Sequence, residues 1–92
     1  QITIGTKFVY LRFDSTETEA NVYNALSPWV FPASGRSQGA MGSFGTNAIT
    51  RIFRNSSTSI SLYGNDNSCV KTINSGTPAP LTSSLNICTV IY

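Results

Sequence analysis

Two stretches of this chain carry nearly the same letters, 39 positions apart. Thr46-Asn47-Ala48-Ile49-Thr50-Arg51-Ile52-Phe53 is matched at the C-terminus by Leu85-Asn86-Ile87-Cys88-Thr89-Val90-Ile91-Tyr92, with Asn, Thr, Ile and an aromatic at equal offsets. A period of this size corresponds to one supersecondary unit, which cannot bury its apolar face alone and must pack on a neighbour. The 92 residues make one domain with a single core. Two units are therefore expected within it, motif one over about 1–54 and motif two over about 55–92.

The runs between turn residues decide the class. Lys7-Phe8-Val9-Tyr10-Leu11-Arg12-Phe13 is β-branched and aromatic, and Ala48 to Arg54 is a second strong strand. Ser59-Ile60-Ser61-Leu62-Tyr63 alternates with Ile60 and Leu62 on one face, and Cys69-Val70-Lys71-Thr72-Ile73 and Ile87 to Tyr92 follow. Ala20-Asn21-Val22-Tyr23 reads as a short strand after a polar turn at 14–19. Glu17 and Glu19, the one close carboxylate pair, read as a solvated hairpin tip. No segment shows a helical period, so the fold class is all-β.

Residues Asn24 to Thr46 form an irregular connection. Ser27-Pro28-Trp29-Val30-Phe31-Pro32 places apolar side chains between two prolines, which excludes a regular helix or a central strand. Gly35 to Gly45 contains four glycines. Such a segment must pack through Trp29, Val30, Phe31, Met41 and Phe44, or serve a function. Trp29 and Phe31 either plug one end of the core or, with Tyr23 and Tyr63, form a binding surface.

Charge is sparse: 11% of residues against the usual level of about 25%. The net charge of +2 comes from scattered basic residues that form no phosphate-tracking stripe, so nucleic acid is not an expected partner. Arg51 and Arg54 fall on opposite strand faces. Cys69 and Cys88 are either two buried thiols or one disulfide, and the disulfide is favoured; closing that loop would contribute about 3 kcal/mol. It would place the protein in an oxidising, secreted setting. No apolar run is long enough for a transmembrane helix, and the chain reads as a mature form after leader removal. Asn55-Ser56-Ser57 is a glycosylation acceptor pattern in a turn.

The second half then resembles the βγ-crystallin family. Ile60-Ser61-Leu62-Tyr63-Gly64-Asn65-Asp66-Asn67 is similar to that family's opening hairpin, and Asn86-Ile87-Cys88-Thr89-Val90-Ile91 to its closing segment. Val9 to Phe13 and Asn47 to Ile52 would take the same parts in the first half. The resemblance implies two Greek-key motifs forming a small sandwich. It also implies a range of roles, from lens and calcium-binding stress proteins to small secreted killer toxins and effectors. Its metal loop would carry over as Asn47 and Thr50, then Asn86 and Thr89. Thr46 and Leu85 depart from the first ligand position, and Arg51 and Val90 replace the final Ser. Calcium prefers six to eight oxygens with carboxylates among them, so these residues suit loop-to-strand corners better.

The chain has no histidine, no Gly-x-Ser-x-Gly elbow and no phosphate loop, so an enzyme is not expected. The expectation is a secreted, non-enzymatic interaction protein with a cell-surface or extracellular target, an antimicrobial killer-toxin-like protein or a host-directed effector. A calcium-binding structural protein and a carbohydrate-binding module stacking sugars on Trp29, Tyr23 or Tyr63 are the alternatives. Exposed strand edges leave both monomer and dimer open.

Overall fold

The structure, a computed structural model, describes residues 1–31 and 33–91. Pro32 and Tyr92, the second proline of the connection and the last aromatic of the repeat, lie outside the described residues. The strands are β1 Ile2–Ile4, β2 Phe8–Phe13, β3 Ser37–Phe44, β4 Asn47–Ser56, β5 Ser59–Tyr63, β6 Cys69–Asn74 and β7 Leu85–Val90. They form one sheet in the order β1-β2-β7-β3-β4-β5-β6, and every neighbouring pair is antiparallel. β3 to β6 run as a meander, after which the chain returns across it and inserts β7 between β2 and β3. The chain is thus mostly β, in a single sheet with one short helix.

The sheet is curled around its core. Val9 and Leu11 of β2, Ile87 of β7, Ile52 of β4, Leu62 of β5 and Ile73 of β6 are all fully buried in the same apolar cluster. Lys71 of β6 lies 5.8 Å over the Phe44 ring of β3, although β4 and β5 separate those strands along the sheet. Alternation supplies this face: Val9, Leu11 and Phe13 point in, while Phe8, Tyr10 and Arg12 point out.

The expected strand at Ala20 to Tyr23 is instead helix α1, Glu19–Leu26. Its buried residues Glu19, Val22, Tyr23 and Leu26 follow an i, i+3, i+4, i+7 spacing, which is helical. The Thr18 side chain caps it by accepting from the Asn21 amide at 3.3 Å. A 3-10 turn, Ser27–Trp29, follows with Pro28 in its first turn. Glu19 is therefore no solvated hairpin residue. It is 7% exposed, accepts from Lys71 Nζ at 3.2 Å and from the Asn74 amide at 3.3 Å, and ties α1 to β6.

The expected irregular stretch from Gly35 to Gly45 is also corrected, because most of it is β3. Gly35 and Gly45, at φ of 79° and 61°, adopt left-handed backbone at either end of that strand. Val30 is buried, and Trp29 and Phe44 pack against the core, as a packed connection requires. Met41 does not; it is 79% exposed.

The internal repeat is not a structural repeat. Both copies flank β3, but Phe44 faces Asn47 on β4 and Leu85 on β7, while Ser43 faces Ala48 and Asn86. Pairing one residue out of step sends equivalent letters to opposite faces. Ala48 is exposed where Ile87 is buried, and Thr50 is exposed where Thr89 is buried.

The disulfide is overturned. Cys69 on β6 and Cys88 on β7 are free thiols. β3, β4 and β5 lie between their strands in the sheet order, so the two thiols sit on strands that are not neighbours. A Cys69→Ser, Cys88→Ser double variant is expected to melt within about 2 °C of the parent without reductant, since no cross-link is lost. A drop several-fold larger would restore the disulfide.

Candidate interaction surface

Strand β2 is apolar on both faces, and its outward row has no layer over it. Phe8 is 54% and Tyr10 39% exposed, and β3 adds Met41 at 79%. Register brings these together: Phe8 sits opposite Val90, Tyr10 opposite Cys88, and Cys88 opposite Met41. Between them runs a groove of about 260 Å³, walled by Phe8, Ala40, Met41, Cys88 and Val90. Contiguous apolar surface of this kind marks an interaction site.

Its charge is one-sided. Arg12 continues the Phe8–Tyr10 row, opposite Asn86, and exposed Lys7 precedes Phe8. None of the seven strands contains Asp or Glu, and all four carboxylates lie in α1, its lead-in or the β5–β6 turn. Tyr10 Oη donates to Asn86 Oδ1 at 3.2 Å, which fixes the ring on the sheet surface.

The aromatic candidates named from sequence are dispersed. Tyr23 is buried, and its hydroxyl donates to the Ser57 carbonyl. Trp29 is half-buried against the core, its carbonyl accepting from Gln38. Phe31 is half-buried with the Arg36 guanidinium 5.2 Å above its ring. Tyr63 lies on the outer face, covered by Arg51 at 4.4 Å and packed edge-on to Phe53. These rings do not form one platform.

The calcium candidates also separate. Asn47 lies beside the β5–β6 turn, where Asn65, Asp66 and Ser68 help to line a depression of about 350 Å³, and Thr50 Oγ1 donates to the Gly64 carbonyl. Asn86 is on the outer face of β7. Thr89 is buried, donating to the Gly39 carbonyl and accepting from Gln38, both at 2.8 Å. Asp66 is the one acidic side chain among the described residues lining that depression, and bonds from the Ser68 hydroxyl and amide hold its pKa below the usual value. One carboxylate with such neighbours does not meet the oxygen count calcium needs. Among the described residues no group of three or more His, Cys, Asp or Glu converges.

The Asn55 side chain is exposed and donates to the Ser59 and Ser61 hydroxyls at 3.0 and 2.6 Å. From sequence, Phe8 and Tyr10 read only as strand residues, and Val90 as a strand residue in the place of a metal loop's final Ser. The readable signal was the unbroken run Phe8-Val9-Tyr10-Leu11, whose two parities cannot both face a single core. No family model, curated protein or solved structure matches the chain.

Proposed function

We propose that the protein is a non-enzymatic interaction module of the secreted killer-toxin or effector type, seated on an anionic, partly apolar cell surface by the outer face of its sheet. The observation that carries this reading is the Phe8, Tyr10, Met41 and Val90 surface, edged by Lys7 and Arg12, on strands without a carboxylate. Secretion no longer draws on a disulfide; it follows from the target the surface suits and from the sparse charge. The long return of β7 to lie beside β3 supports the Greek-key part of the crystallin-like reading. The two-motif sandwich belongs to the same proposal.

Magnitudes suggest reversible attachment. Burying the exposed parts of Phe8 and Met41 contributes on the order of 2–3 kcal/mol. Two cations near an anionic lipid surface add about 1 kcal/mol each. The sum supports weak, salt-sensitive docking, as a single lipid chain does.

Vesicle co-sedimentation tests it. The protein is expected to pellet with vesicles containing phosphatidylglycerol and to stay in solution with phosphatidylcholine alone. Replacing Phe8 and Met41 together by Ser should release it while leaving the circular dichroism spectrum unchanged, since both side chains are largely exposed. Failure to pellet with anionic vesicles, or pelleting untouched by the double variant, defeats the proposal.

A further inference from the structure

Arg54 stands on β4 with its side chain turned inward, 5% exposed. Its Nε donates to the Phe31 carbonyl at 2.6 Å, and one terminal nitrogen donates to Tyr23 Oη at 2.8 Å and the Ser56 carbonyl at 3.3 Å. The other donates to the Ser27 carbonyl at 3.2 Å. All four acceptors are neutral, and a guanidinium has five N–H groups to place. The carboxylates are engaged elsewhere: Glu19 with Lys71, Glu17 with Asn21, Asp14 with Thr16 and Asp66 with Ser68. Among the described residues, then, a buried full positive charge has no anion beside it. The carbonyls at the end of α1 and its 3-10 turn offer only partial negative charge.

Beside this guanidinium the surface opens into a cavity of about 460 Å³, lined by Tyr23, Ser27, Pro28, Val30, Arg54 and Ser57. Among the described residues the Ser27 and Ser57 hydroxyls make no hydrogen bond of their own, and the fifth Arg54 N–H has no acceptor. We infer that the cavity is a binding site for a small oxyanion, a carboxylate or a phosphate. Arg54 supplies the charge, Ser27 and Ser57 donate hydroxyl bonds, and Pro28 and Val30 form a wall for a short apolar substituent. A charged guanidinium with fixed donors is suited to such oxygens, and their bonds are charge-assisted. The site shares no residue with the outer-face groove and does not depend on that surface having a partner.

Sodium acetate and sodium phosphate are the probes, titrated at constant ionic strength against sodium chloride and followed by amide chemical shifts and melting temperature. At least one anion is expected to shift the amides of Tyr23, Ser27 and Ser57 saturably and to raise the melting temperature above the chloride reference. Acetate alone assigns the carboxylate class, and phosphate alone the phosphate class. The Ser27→Ala, Ser57→Ala double variant keeps the carbonyls that hold Arg54, so it should fold and bind about 10-fold or more weakly. Ser57→Glu places a carboxylate beside Arg54 within the chain, and should raise the melting temperature and remove anion binding. The inference is overturned if neither anion acts beyond chloride, or if both variants respond as the parent does.

Discussion

Gly42→Ala is expected to abolish folding. Gly42 sits in β3 with β4 on one side and β7 on the other, opposite Ile49 and Ile87. A Cβ at this position would lie 1.9 Å from the Asn86 carbonyl oxygen and 2.8 Å from both the Asn86 carbonyl carbon and Ile87 Cα. All three atoms are backbone, so no side-chain rotation relieves the overlap. β7 would have to withdraw, and with it Leu85 and Ile87, both fully buried. Ordinary overpacking costs about 1–3 kcal/mol when neighbours adjust. Here the adjustment breaks a central strand pair, and a cost above about 4 kcal/mol is large against the stability of a domain this size. Gly39→Ala is the control in the same strand. A Cβ there meets nothing within 4 Å, so Ala should leave stability unchanged or raise it by about 0.5 kcal/mol through lower unfolded-chain entropy. Thermal melts of the two variants check the pair, and similar behaviour in both would remove close strand approach as the role of Gly42.

That glycine also shows where sequence reasoning stopped. β2, β4, β5, β6 and β7 were legible from their β-branched and aromatic residues, and the shared face of Ile60 and Leu62 and the opposite faces of Arg51 and Arg54 followed directly. β3 has only Phe44 of this kind, at its very end. Ser-Gln-Gly-Ala-Met-Gly-Ser-Phe is extended because partners on both sides take its backbone hydrogen bonds, a tertiary cause that local preference does not express. Helix α1 was hidden for a different reason. Its buried apolar positions are only Val22, Tyr23 and Leu26, and the fourth buried residue is a carboxylate whose partner, Lys71, lies 52 positions away. The repeat misled through register, because Asn47 and Asn86 meet β3 one residue out of step. The docking surface was readable in the two-faced apolar run of β2. The Arg54 cavity was not, since Tyr23 and Ser27, at the end of α1, meet Arg54 and Ser57 only through long-range hydrogen bonds in the folded chain.

Gln38→Leu should cost about 3 kcal/mol, although Leu is the better core residue by transfer. Gln38 is 4% exposed on the inward face of β3. Its Nε2 donates to the Trp29 carbonyl at 2.9 Å and to Thr89 Oγ1 at 2.8 Å, and its Oε1 accepts from the Phe31 amide at 2.9 Å. One side chain thus ties the Trp29 carbonyl and the Phe31 amide to β3 and β7. Leu fills similar volume and gains apolar transfer energy, a favourable change of roughly 1–2 kcal/mol. Against this, a partly buried amide and a carbonyl lose their partner at about 1–3 kcal/mol each. Thr89 is affected less, because its hydroxyl still donates to the Gly39 carbonyl. The balance is destabilising, and the loss is local to Trp29. Denaturant unfolding followed by Trp29 fluorescence separates the two effects. The variant should show a lower midpoint and a red-shifted native emission, because the half-buried indole is freed from its carbonyl anchor. A lower midpoint with unchanged emission would mean that the core alone holds Trp29, and an unchanged midpoint would mean that water replaces the Gln38 bonds without cost.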